Sequence, residues 1–309
     1  IIKLRHRNIM QIKIDEHCAN SWKNELKALP EFNECLTSSI IEHSASLARK
    51  YLNLRDIHLN ELRIGGGLIE FSNLPIDDQL CPPPTSASRP YTKGYISELV
   101  LLGVTKACGL NPFAFKEEKQ GALVHEITPV DRADNKSISS EGVAEFDFHT
   151  DGAYLSRNIR PHTLSLMCLV DEKKTSTNLV KLSDVVNKLS QKSREVLVEP
   201  RFVHTAPETF KVKNRRIRSS IFDLVDGHYE IKAALHNVNA TDEASECALF
   251  ELKTAVSECQ VQKSWGAGDL IIFNNLRCLH GRGEITGKRW LQKCYGTYTF
   301  SSATVLDIE

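Results

Sequence analysis

No stretch of the sequence approaches about 18 uninterrupted apolar residues, the minimum for a membrane-spanning helix, so no membrane span is expected. Charge of one sign is not in excess either: 39 Lys+Arg stand against 39 Asp+Glu. Non-specific nucleic-acid affinity comes mostly from neutralising phosphates, so this balance argues against a polyanion binder. The basic run KVKNRRIR (211–218) reads as a solvated loop on a neutral chain. Neither GxGxxG nor GxxxxGK[ST] occurs, so the triplet Gly65–Gly67 is no phosphate loop. The nine cysteines are odd in number and scattered, with no CxxC pair. That pattern fits free thiols better than a disulfide framework or a zinc ribbon. Residues 1–17 lack the apolar run and cleavage site of a secretory signal, and a cytoplasmic location is expected.

What is present suits a globular chain with a small-molecule pocket. Hydrophobic residues make up 41% of 309 positions, enough for a full core without covalent staples. Apolar spacings of three and four predict helices across 21–54, broken at Pro30, and across 95–109. Four prolines mark 81–90 as a loop. From about residue 119 the pattern changes to short β-branched and aromatic runs, among them VAEFDFHT, HTLSLMCLV, IRSSIFDLV, HYEIKAAL, DLIIFNN and WLQKCYGTYTF. Helical inserts at 182–197 and 241–259 interrupt them. We therefore expect a mainly β fold with flanking helices, a sandwich or jelly roll. One decorated domain, 1–309, would comprise a helical part (about 1–110) and a catalytic β-core (about 111–309).

Eleven histidines allow coincidences, and His-x-Asp/Glu occurs twice, at His149–Asp151 and His228–Glu230. His149 ends an alternating strand run, and residues i and i+2 of a strand share a face, so His149 and Asp151 can reach one ion. His228 follows an Asp-Gly turn with no other ligand type nearby and reads as surface hairpin. A third ligand is available at His280, in GDLIIFNNLRCLHGRG. Two imidazoles and one carboxylate form the usual site of non-haem Fe(II) oxygenases. Arg289, nine residues later, offers a planar fork suited to a carboxylate.

The ordered set HTDGAY, GDLIIFNNLRCLHGRG and KRWLQKCYG resembles the Fe(II)/2-oxoglutarate-dependent oxygenases of the clavaminate synthase-like and taurine dioxygenase-like group, over roughly 119–300. The resemblance implies a double-stranded β-helix core, Fe(II) on His149, Asp151 and His280, 2-oxoglutarate on Arg289, and O2 as oxidant. It also implies a threonine contact to 2-oxoglutarate. Thr177, 28 residues after His149, is the candidate, with Thr175 its competitor. Related halogenases lack the carboxylate ligand, so Asp151 implies hydroxylation or another oxidation rather than halogenation. The family would place Lys293, four residues after Arg289, on a substrate carboxylate, and Asp223 opposite a basic substrate group. Ser139, Ser140 and Glu145 precede the ligand pair and are further pocket candidates.

The implied reaction is hydroxylation of a free amino acid, basic ones such as arginine and lysine included, or of a similar small polar metabolite, with release of succinate and CO2. A catabolic dioxygenase acting on a sulfonate or betaine is the alternative, and a non-catalytic jelly-roll binding protein is a second. No nucleic-acid or membrane partner is expected, and oligomeric state is not legible. His149→Ala and Asp151→Ala are expected to abolish turnover, while His228→Ala should leave it intact. Loss of bound iron in His228→Ala would show that the wrong histidine–acid pair was chosen.

Overall fold

A computed structural model describes residues 9–29, 36–86, 88–130 and 139–308. Pro30, the expected helix break, and Cys35 lie outside them. Helices α1 (Glu16–Lys27), α2 (Ser38–Leu52), α3 (Asp56–Arg63) and α4 (Ile96–Ala107) precede most strands; α5 (Leu182–Val186), α6 (Gln191–Leu197) and α7 (Glu243–Cys259) are inserted later. Each of the first two starts on a capping side chain: Asp15 Oδ1 accepts from Cys18 N at 2.7 Å, and Thr37 Oγ1 from Ile40 N at 3.3 Å. In α2 the buried positions Ile40, Ile41, Ser44, Ala45, Ala48 and Leu52 form one stripe. No described helix is long and apolar enough to cross a membrane.

The main sheet has eight strands. Its order is β1 (Met10–Lys13), β2 (Leu68–Ser72), β14 (Leu270–Asn274), β6 (Thr163–Asp171), β16 (Arg289–Thr297), β3 (Asn111–Phe115) and β17 (Thr304–Leu306), with β4 (His125–Ile127) also on β16. The four-stranded sheet runs β13 (Val261–Lys263), β7 (Thr177–Lys181), β15 (Cys278–Arg282), β5 (Phe146–His149). Smaller sheets join β12 (Val238–Ala240), β8 (Phe202–Thr205) and β9 (Arg216–Ser219), and the hairpin β10 (Phe222–Val225)–β11 (His228–Ile231). Helix and sheet are thus mixed in several sheets. The N-terminal part supplies strands as well as helices, with β1 paired to β2 at the edge of the main sheet. The run IRSSIFDLV divides into β9 and β10, which belong to different sheets.

Both faces of the main sheet are covered, which is why its strands read as apolar runs. Met167, Leu169, Ile272 and Trp290 pack with α1, α2 and α4. The alternate residues Leu164, Leu166, Phe273 and Leu291 pack with Leu179 and Cys278 of the smaller sheet. The outer face of that sheet, through Val180 and Leu279, is covered by α5–α7. Asp226 (φ 49°) and Gly227 (φ 78°) form the β10–β11 turn, both left-handed as a two-residue hairpin requires. His228 is exposed there and Glu230 is held by Arg157 at 2.7 Å, as the hairpin reading expects.

A buried ion cluster ties the proline-rich loop to α4. Lys93 Nζ donates to Asp77 Oδ2 (2.9 Å), Ser97 Oγ (2.6 Å) and Glu98 Oε2 (2.5 Å). Arg89 Nε donates to Glu98 Oε1 at 2.8 Å. Burial alone would raise the Asp77 carboxyl, but Lys93 and the α4 amides hold it below its ordinary value. Its stabilising contribution is therefore present above an unfolded pKa of about 3.9 and is lost as pH falls through the lower folded value. Lys93→Met leaves two buried carboxylates without their ammonium and is expected to cost about 3–5 kcal/mol in denaturant unfolding. A loss below about 1 kcal/mol, the range of a surface pair, would contradict the structural role.

Candidate active site

Cross-strand register sets the two histidines side by side. His149 of β5 pairs directly with His280 of β15, and directly opposed residues bring their side chains together on one face. Their ring centroids are 4.0 Å apart. His149 Nε2 lies 3.4 Å and His280 Nε2 3.5 Å from Asp151 Oδ1. One donor atom from each of the three residues falls within 4.8 Å of the others. His149 Nδ1 lies 2.9 Å from the Asp147 carbonyl, which as a donor leaves Nε2 with a free lone pair. Burial, then the adjacent His149 ring, pushes His280 down to about 4, so its imidazole is neutral near pH 7. Two imidazoles and a carboxylate converging in a buried pocket fit a divalent iron.

Asp151 is not on the strand, as i, i+2 spacing suggested: β5 ends at His149 and Asp151 sits in the following turn. Asn275 places it instead. Its Oδ1 accepts from Asp151 N at 2.9 Å, and its Nδ2 donates to the Asp151 and Pro161 carbonyls at 2.9 and 3.0 Å. Thr150 adds a backbone bond to the Ala233 carbonyl at 2.7 Å. Burial favours a protonated Asp151, but the Lys293 ammonium and the two imidazoles hold the carboxyl well below its usual range.

At another side of the same pocket, Arg289 and Thr177 lie together, with Arg289 Nη2 donating to Thr177 Oγ1 at 3.3 Å. Asp171 Oδ2 holds Arg289 Nε at 3.2 Å. A register shift between β16 and β6 at Trp290/Leu291 puts Asp171 opposite Arg289. Thr175 does not line the pocket; its amide donates to Asp171 Oδ1 at 3.0 Å, so of the two threonines Thr177 faces the cavity. Arg282 also lines it but spends its fork on backbone carbonyls, including Gly142 and Gly283 at 2.9 Å.

Residues 106–295, well over half of the chain, match the family described as "Taurine catabolism dioxygenase TauD, TfdA family". The chain belongs to that family. An L-asparagine oxygenase of Streptomyces coelicolor is 27% identical over 242 residues, covering 74% of this chain and 70% of that protein. Among solved structures, asparagine oxygenase with Fe(II), 2S,3S-3-hydroxyasparagine and succinate superposes with TM-score 0.80 at 22% identity, covering 92% of each chain. The non-heme iron oxygenase OrfP with Fe and alpha-ketoglutaric acid gives TM-score 0.80 at 20% identity, covering 93% of this chain and 94% of that one. OrfP with Fe, succinate and (3S)-hydroxy-L-Arg gives 0.79 at 18%, covering 96% and 99%.

Within this TauD/TfdA chain two expected pocket residues lie elsewhere. Asp223 does not line the cavity; Arg160 Nη2 (2.6 Å), Lys232 Nζ (2.5 Å) and Ser220 Oγ (3.2 Å) engage its carboxylate. Glu145 is exposed and outside the pocket. The register between β5 and β15 slips between His280 and Arg282, so Phe146 and His149, three apart, both face inward while Glu145 turns out. Gly281 sits at this bulge, where a Cβ would come 2.8 Å from the Phe146 carbonyl. Ser139 and Ser140 do line the cavity. Lys293 lines it too, but its Nζ already donates to Asp151 Oδ2 at 2.7 Å and to Tyr295 Oη at 2.9 Å.

Sequence reasoning missed Glu118 and Tyr295, which are buried, line the cavity and share a hydrogen bond of 2.8 Å. Tyr295 was within reach, since it follows Lys293 by two on one strand. Glu118, in the charged run KEEK, carried no inward signal. The clamp on Asp151 makes a prediction. Asn275→Ala is expected to weaken Co(II) or Fe(II) affinity by about 10–100-fold, as loss of an outer-sphere partner does. Affinity within about twofold of the unmodified protein would contradict that role.

Proposed function

We propose that this chain is an Fe(II)- and 2-oxoglutarate-dependent dioxygenase. It hydroxylates an unactivated C–H bond of a free amino acid, or a similar small polar metabolite, releasing succinate and CO2. One observation carries the reading: His149, Asp151 and His280 converge in the same buried pocket that Arg289 and Thr177 line. The two Nε2 atoms and Asp151 Oδ1 would hold iron, and bound iron with 2-oxoglutarate and O2 supplies the oxidising chemistry. Arg289, oriented by Asp171, presents the cation for the distal carboxylate of 2-oxoglutarate, with the Thr177 hydroxyl beside it. Asp151 supplies the third protein ligand, which favours hydroxylation over halogenation.

Glu118 lines the pocket, but Tyr295 Oη at 2.8 Å and the Lys293 ammonium at 3.6 Å already engage its carboxylate, so the choice of an amino acid over a sulfonate rests on the relatives. The relatives whose structures hold hydroxylated asparagine and arginine support that choice. Asp223, the expected counter-charge for a basic side chain, is already neutralised by Arg160 and Lys232. An uncharged polar side chain is therefore the better fit. Two sheets packed face to face support a jelly-roll core within one decorated domain of about 1–309. Eight free cysteines among the described residues suit a reducing cytoplasm.

A screen of free amino acids for substrate-dependent succinate release tests the proposal. At least one should stimulate it, and Arg289→Ala should raise KM for 2-oxoglutarate by about tenfold or more, the value of a lost charge-assisted pair. No succinate with any amino acid would contradict the reading, and stimulation by taurine alone would favour the sulfonate alternative.

A further inference from the structure

We propose that Lys293 and Tyr295 are positioning residues that occupy one oxygen of Asp151 and so hold it as a one-oxygen metal ligand. The inference rests on the iron reading above. A carboxylate has two oxygens and can chelate a cation through both. Here Asp151 Oδ2 accepts from Lys293 Nζ at 2.7 Å, and the single proton of Tyr295 Oη is shared between Asp151 Oδ2 at 3.0 Å and Glu118 Oε2 at 2.8 Å. Only Oδ1 is left facing the imidazoles, at 3.4 and 3.5 Å.

The arrangement is stiff on both sides. Lys293 and Tyr295 sit two apart on the inner face of β16, a strand bonded to β6 and to β3 and β4. Both are buried, and Lys293 Nζ is further engaged by Tyr295 Oη at 2.9 Å and by Glu118 Oε1 at 3.6 Å. The ammonium is therefore committed to the network around Asp151 rather than free for a substrate carboxylate. The peptide of Asp151 is gripped separately by Asn275. With the backbone and Oδ2 both held, rotation of the carboxylate to offer two oxygens is blocked. Three protein donor atoms, not four, then face the metal, which leaves room for a chelating cosubstrate and a further ligand.

Co(II) serves as the probe, since its visible bands report coordination. The unmodified protein should bind Co(II), and 2-oxoglutarate should shift the bands. Tyr295→Phe keeps the ring and removes only the hydroxyl; Lys293→Met keeps much of the chain and removes the charge. Both should alter the Co(II) bands before 2-oxoglutarate is added and weaken 2-oxoglutarate binding to the Co(II) form by about tenfold. Should Lys293→Met fail to fold, Tyr295→Phe decides alone. Bands and 2-oxoglutarate affinity unchanged in the folded variants would overturn the proposal. An accompanying rise in substrate KM would place Lys293 on the substrate instead. An unmodified protein that binds no Co(II) would sink the iron reading, and this inference with it.

Discussion

Two imidazole nitrogens and one carboxylate oxygen point at a common volume inside a pocket largely shielded from water. Such a convergence of lone pairs is costly unless a cation joins them, and the surrounding structure serves to keep it together. The β5–β15 register fixes the two rings. Asn275 fixes the Asp151 peptide, and Lys293 with Tyr295 fixes the second carboxylate oxygen. None of these supports lies on a free loop tip.

Strand β16 carries most of the burden. Its inner residues Arg289, Leu291, Lys293 and Tyr295 face the pocket, whereas Trp290 and Cys294 belong to the helix-side core. Trp290 Nε1 and Gln292 Nε2 donate to buried Glu126 at 2.5 and 3.1 Å, so the carboxylate on the outer face has partners as well. A side chain on one face of so buried a strand cannot be moved without disturbing the other. The spacing between Arg289 and the Lys293–Tyr295 pair that engages Asp151 is thereby set by the pleat of one strand.

Much of this was legible in order and spacing. That His149, Asp151, His280 and Arg289 meet in one pocket, and that His228 lies on the surface, follows from residue types on strands and turns, because those depend on local periodicity and chemistry. The failures share a physical cause: they depend on register and on partners distant in the chain. A bulge opposite Gly281 turns Glu145 outward, although strict alternation from His149 would have kept it inside. Asp223 meets Arg160 and Lys232, 63 and 9 positions away, and its charge is consumed there. Asp151 reaches the imidazoles from a turn held by a residue 124 positions later, not from a strand face. Glu118 enters the pocket from a run of charges that reads as solvated.

The central claim is that the three donors and Arg289 form one site for iron chelated by 2-oxoglutarate. An anaerobic visible titration of the protein with Fe(II) and 2-oxoglutarate tests it most directly. A weak charge-transfer band that needs both components is the predicted result. No band with both present, at concentrations that saturate related oxygenases, would contradict the account.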